Sequence, residues 1–99
     1  MNDGIYVARA KSLSLRYDYD HNALVIVGEI QTDSGTFGGL GYDLSKDKII
    51  QIHKFFGMED LNNIRNAVFQ ISVIEDIIHE LLPLFDSDGK GVNFRKETQ

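Results

Sequence analysis

Apolar and polar positions alternate with a period of two along the run from Ala23 to Leu44, ALVIVGEIQTDSGTFGGLGYDL. Leu24, Ile26, Gly28, Ile30 and Thr32 share one parity; Ala23, Val25, Val27, Glu29 and Gln31 share the other. β-Branched residues at both parities predict a strand whose first half is covered on both faces. Thr32-Asp33-Ser34-Gly35 supplies turn chemistry, and Leu40, Tyr42 and Leu44 then resume the alternation opposite Gly39, Gly41 and Asp43. A strand face built from glycine packs nothing itself and leaves the backbone open to close approach. The plainer occupant is a helix laid across the sheet; the alternative is a ligand or partner at Gly35, Gly38, Gly39 and Gly41.

Upstream, Leu13, Leu15, Tyr17 and Tyr19 fall on one face of a strand spanning Ile5 to Tyr19. Tyr6, Ala8 and Ala10 fall out of phase with them, so a bulge is expected between Arg9 and Ser12. With the turn Asp20-His21-Asn22, this makes a three-stranded meander. Lys48–Phe56 reads either as a helix capped by Ser45 and closed by Gly57, or as a fourth strand, and the alternation of Ile50 and Ile52 with Gln51 and His53 favours the strand. A helix carrying Leu61, Ile64 and Val68 is expected next. Ser72-Val73-Ile74-Glu75 has the spacing of a capping box, and Ile74, Ile77, Ile78, Leu81, Leu82 and Phe85 would form the stripe of a second helix ended by Pro83. Gly91–Arg95 reads as a short last strand, and residues 96–99 as a loose tail. The fold expected is α+β: one domain over residues 1–99, a twisted antiparallel sheet of three to five strands with two helices packed on one face. The other sheet face, with Tyr17 or Tyr19 near an edge, is a candidate dimer or partner surface, because aromatics are enriched in interface cores.

Charge narrows the partners. The net charge is −5, and Asn66–Gly89 holds five acids (Glu75, Asp76, Glu80, Asp86, Asp88) with no Lys or Arg. The remainder carries ten acids and ten bases, so the whole excess sits in that segment. A nucleic-acid binder would show a basic stripe instead. Cysteine is absent, which removes disulfides and thiol chemistry, and no apolar run reaches bilayer length. The first residues lack a basic region followed by an apolar core, so no secretory signal is expected, and an intracellular setting is the expectation.

Candidate chemistry is sparse. The glycine run could cradle phosphate only if it fed a helix N-terminus with a lysine following, whereas here a strand follows and the next lysine is Lys46. Asp86-Ser87-Asp88-Gly89-Lys90-Gly91, with Glu97 at the twelfth position, matches a calcium loop at four positions and fails at the fifth and eighth. His21, His53 and His79 are scattered rather than paired for zinc. Asp18, Asp20 and His21 have no nucleophile beside them and read as a turn. No metal, cofactor or enzymatic activity is therefore expected.

The outer face of the expected second helix is acidic, with Glu75, Asp76, His79 and Glu80 opposite the apolar stripe. Such a face is either plainly solvated or a partner surface suited to a basic groove. Gly35-Thr36-Phe37-Gly38-Gly39-Leu40-Gly41-Tyr42-Asp43-Leu44, after Leu15-Arg16-Tyr17-Asp18 and before Phe56-Gly57-Met58, resembles a group of small phage and prophage proteins. That group shows an L-x-Y-x-D strand, a GFGG-Y-x-L-D signature and an FGM opening a helix; Glu75-Asp76-Ile77 and Gly91-Val92 sit where it has an E-D-L and a closing strand. An extra glycine before Tyr42 and a longer second helix depart from the pattern. The resemblance implies an accessory protein of a mobile element. The expected function is non-enzymatic binding of a host protein or nucleoprotein complex with a basic surface, in the manner of an anti-CRISPR inhibitor of host defence, without direct nucleic-acid contact. The alternatives are a nucleotide sponge using the glycine turn and a structural homodimer.

Overall fold

Fifteen residues from Gly4 to Asp18 form one continuous strand, β1, and every other strand is placed by it. The computed structural model describes residues 2–40, 43–57, 60–64, 66–85 and 90–94. After β1 come β2 (Ala23–Gln31), β3 (Thr36–Leu40), the helix α1 (Lys46–Phe56), then β4 (Ala67–Ile74), β5 (Ile77–Leu82) and β6 (Val92–Asn93). The six strands make one antiparallel sheet in the order β3-β2-β1-β4-β5-β6.

β1 serves two partners along its length. Gly4–Ala10 pairs with β4, and Arg9–Asp18 pairs with β2. The register breaks between Ala10 and Leu13, where three steps on β1 oppose two on β2 (Ala10↔Ile30, Leu13↔Gly28). One extra residue changes which parity faces inward. Ala8 and Ala10 are buried before the bulge and Leu13 after it, as the shifted sequence pattern anticipates. The β1–β4 pairing ends at Ala10↔Ala67, and beyond it a 3₁₀ turn at Leu61–Asn63 packs against β1. The Ser14 hydroxyl and Asn62 Oδ1, 2.7 Å apart, fasten it.

The principal extents are nearly equal, 33 by 29 by 28 Å, so the sheet curls around its core instead of lying flat. One cluster fills the concave side: Leu13, Ile26 and Ile30 from β1 and β2, Leu40 from β3, Ile71 and Val73 from β4, Leu81 and Val92 from β5 and β6. α1 contributes Ile52, which is fully buried.

The expected α+β fold of three to five strands with two helices on one face is overturned: the described residues form a six-stranded antiparallel sheet with one short α-helix, and two readings of helices fail. Lys46–Phe56 is helical, not a strand: Ser45 Oγ accepts from the Lys48 amide at 3.1 Å, and Gly57 closes the last turn in the left-handed region, its N–H on the His53 and Lys54 carbonyls. The pair of helices expected after Gly57 is absent among the described residues. Leu61 and Ile64 belong to the 3₁₀ turn and its cap, and Val68 belongs to β4. The supposed capped helix at Ser72 is the β4–β5 hairpin.

Local physics explains that hairpin. Phe69, Ile71 and Val73 point inward, with Val68, Gln70, Ser72 and Ile74 outward, a period of two carried by β-branched residues. Glu75 and Asp76 both have positive φ, 52° and 63°, the geometry of a two-residue type I′ turn. β5 then contains a bulge, because Glu80 faces Ser72 while Ile78 faces Val73, leaving His79 as the extra residue. Ile78 and Leu81, three apart, are thereby both buried. A bulged strand has mimicked helical spacing.

The Gly91–Arg95 expectation is met in part by β6 at Val92–Asn93, paired with Leu81 and Glu80, while Arg95 lies outside the described residues. Gly41, Tyr42, the calcium-like run Asp86–Gly89, Glu97 and the tail 96–99 lie outside the described residues.

Candidate functional site

The acidic residues are brought together, although not on a helix. Glu75 and Asp76 form the exposed tip of the β4–β5 hairpin. Asp3 joins them, its Oδ1 accepting from the Glu75 amide at 2.8 Å, so the start of β1 is tied to that tip. Glu80 faces Ser72 on the convex side of the sheet, half-buried, and His79 occupies the bulge beside it. Asp3, Glu75 and Asp76 thus make an acidic end to the sheet, with Glu80 one step along the convex face.

The convex face itself carries the larger surprise. Cα partners share a face, so the pairs Ile5↔Ser72, Val7↔Gln70 and Arg9↔Val68 place Ile5, Val7 and Val68 outward. The pairs Gln70↔Leu82 and Ile74↔Ile77 extend the same face across β5. Ile5, Val7, Val68 and Ile77 are 63, 55, 41 and 59% exposed. Scattered exposed aliphatics are ordinary, but these four sit on three adjacent strands. Arg9 lies at the end of the face opposite the acids: Val68, its partner, is four residues from Ser72, the partner of Glu80, or about 13 Å at the strand rise.

Of the described glycine candidates, Gly35 is engaged in its own turn and Gly39 is packed against β2. The Gly35 amide donates to Thr32 Oγ1 at 2.9 Å, while its carbonyl accepts from both the Thr32 amide and hydroxyl. An amide spent on its own turn is not offered to a phosphate. A Cβ on Gly39 would stand 2.5 Å from the Ile26 carbonyl oxygen, so the close approach there is made by β2 and not by a helix. Gly38 has open space where its side chain would be.

Tyr17 lies off the face expected for it. Tyr17 faces Leu24, on the same side of the sheet as Leu13 and Leu15 and not on the convex face. Its hydroxyl donates to Asn22 Oδ1 at 2.8 Å, and its ring meets that of Tyr19 edge-on at 4.8 Å. Tyr19 is 85% exposed. In the same turn Asp18 Oδ2 lies 2.9 Å from His21 Nδ1, and Oδ1 accepts from the Asp20 amide at 3.0 Å. The His21 contact leads in holding the Asp18 carboxyl below its ordinary value. These contacts close a turn.

Among the described residues, no group of three His, Asp or Glu side chains is placed to hold a metal ion, and no helix is long and apolar enough to cross a membrane. No protein-family model matches this chain, and neither a curated protein nor a solved structure matches it.

Sequence reasoning had Glu75, Asp76 and Glu80 as one acidic surface but missed Ile5, Val7 and Val68 beside them. The alternation Ile5-Val7-Arg9 was the available sign. It marks a face opposite the one buried through Ala8 and Ala10.

Proposed function

We propose that this chain is a non-enzymatic protein-binding module that covers a basic, partly apolar surface of another protein with the convex face of its sheet. The observation that carries this reading is the exposed strip Ile5, Val7, Val68 and Ile77 bounded by the acids Asp3, Glu75, Asp76 and Glu80. Burying such a strip supplies affinity, and the acidic border selects a partner by complementary charge. The β4–β5 hairpin, Ala67–Leu82, has three acids and no Lys or Arg in its own sequence. The phage-protein resemblance supplies the setting: an accessory protein of a mobile element whose target is a host protein, of the kind an anti-CRISPR inhibitor blocks.

The test compares capture by the wild type, Val7→Asp and the double variant Glu75→Lys/Asp76→Lys, each confirmed folded. The expected result is one basic host protein retained by the wild type, released by high salt, and lost with both variants. Capture unaffected by Val7→Asp would refute the convex face as the contact. Sedimentation showing a dimer that Val7→Asp dissociates would assign the face to a second copy of this chain instead.

A further inference from the structure

A cleft of about 740 Å³ opens between the C-terminal half of α1, the first residues of β4 and the segments on either side of the β5–β6 connection. That volume falls in the range of about 300–1,000 Å³ typical of small-molecule sites. Its apolar wall is preformed. Phe55, Phe56 and Phe69 meet edge-to-face at centroid separations of 5.2, 5.3 and 5.9 Å, and Leu84 continues the surface. Each ring is thereby fixed by the other two. The frame is tied as well: Lys48 Nζ donates to the Asn93 carbonyl, and the Phe94 amide donates to the His79 carbonyl at 2.8 Å, holding β6 to both α1 and β5.

Among the described lining residues of this cleft, the charges oppose the net charge of the molecule. Lys54 and Lys90 are the ionisable side chains among its described lining residues, both are exposed, and Gln51 is the neutral polar one. In a chain of net charge −5, a local pair of lysines beside an aromatic wall favours a ligand with an apolar body and one anionic end. The C-terminus of a helix disfavours an anion, so attraction has to come from both lysines. Among the described lining residues the cationic donors are two lysine point charges and no arginine fork, which suits a monoanion.

We propose that this cleft binds a small amphipathic carboxylate, an acyl chain or aromatic ring ending in a single carboxylate, with the apolar part against Phe55, Phe56, Phe69 and Leu84 and the carboxylate between Lys54 and Lys90. This site is separate from the glycine turn; it shares Val68 with the convex strip proposed above, and its ligand is tested independently of that contact.

Decanoate is the probe, with decanol and decyltrimethylammonium as neutral and cationic controls, titrated against the full chain and followed by amide chemical shifts. Decanoate is expected to move the amides of Gln51, Lys54, Phe69 and Gly91 saturably. It should bind more tightly than decanol, and the cation should not bind. Lys54→Ala/Lys90→Ala, at exposed positions, should weaken decanoate roughly three- to tenfold, the range for two exposed ion pairs, and leave decanol unchanged. Leu84→Trp should fill the cleft and exclude both. The proposal is overturned by the absence of saturable shifts, by shifts centred on Ile5 and Val7, or by a lysine variant that leaves decanoate unchanged or weakens decanol equally.

Discussion

Gly28 passes the β1 bulge so closely that a Cβ on it would stand 2.2 Å from the Ser12 carbonyl oxygen and 2.7 Å from Leu13 Cδ2. Its φ of 155° adds a backbone conformation that side chains disfavour. Gly28→Ala should therefore destabilise the fold by about 2–3 kcal/mol, since neither a carbonyl nor a fully buried leucine can retreat cheaply. Gly39→Ala, set against the Ile26 carbonyl, should act in the same direction. Gly38→Ala, one residue away with open space, should be neutral or stabilising by up to about 1 kcal/mol through the unfolded chain. Urea unfolding of the three variants checks the contrast; equal effects at Gly38 and Gly39 would contradict it.

The β4–β5 turn holds two ordinary residues in a left-handed conformation. Replacing them with the residues that geometry prefers, Glu75→Asn with Asp76→Gly, should raise stability by about 1 kcal/mol. The same pair placed within a helix would lower stability, because glycine and asparagine are both poor helix formers. The sign of the change in urea midpoint thus reports directly on the hairpin.

Ser45 caps α1 through the Lys48 amide. Ser45→Ala should cost about 1 kcal/mol, and Ser45→Asp should restore most of it by accepting the same hydrogen bond. Thermal melts of the two variants measure the difference.

Stability should fall at low pH partly through Asp18. Its folded carboxyl titrates below its ordinary value of 3.8, chiefly because of the hydrogen bond with His21. A carboxyl depressed in the folded state stabilises that state fully above its unfolded pKa, and the contribution disappears as pH falls through the lower, folded one. Asp18→Asn should therefore lose stability at neutral pH and show a shallower decline below pH 3.8 than the wild type. Parallel pH profiles for the two proteins would exclude this role.

The meander was readable because its information is local. Alternation, the out-of-phase Ala8 and Leu13, and the Thr32–Gly35 turn all lie within a few residues of what they determine. The caps of α1 were also present in Ser45 and Gly57, but the alternation of Ile50 and Ile52 pulled the reading towards a strand. The second half misled for a specific reason. The His79 bulge places Ile78 and Leu81 three apart on one face, and Ser72 and Glu75 stand at capping-box spacing by coincidence. Glu75-Asp76 lacks the glycine that usually marks a tight hairpin. The convex strip and the cleft were out of reach altogether. Val7 meets Gln70, and Phe55 meets Phe69, only after distant segments pair.

That one strand serves two partners also sets an order of assembly. Asp18 and Ala23 are joined by four residues, so the β1–β2 pairing closes at little entropic cost, whereas Ala10 and Ala67 enclose most of the chain between them. The hairpin end of β1 is then the early nucleus, and its other end is a template waiting for β4. Substitutions at Leu13 and Ile26 should slow folding, and truncation at Ile71 should mainly hasten unfolding, a division that kinetic φ-values resolve. Until β4 arrives, the Gly4–Ala10 half of the strand is an open edge, and the nascent protein is at its most vulnerable to pairing with the wrong chain.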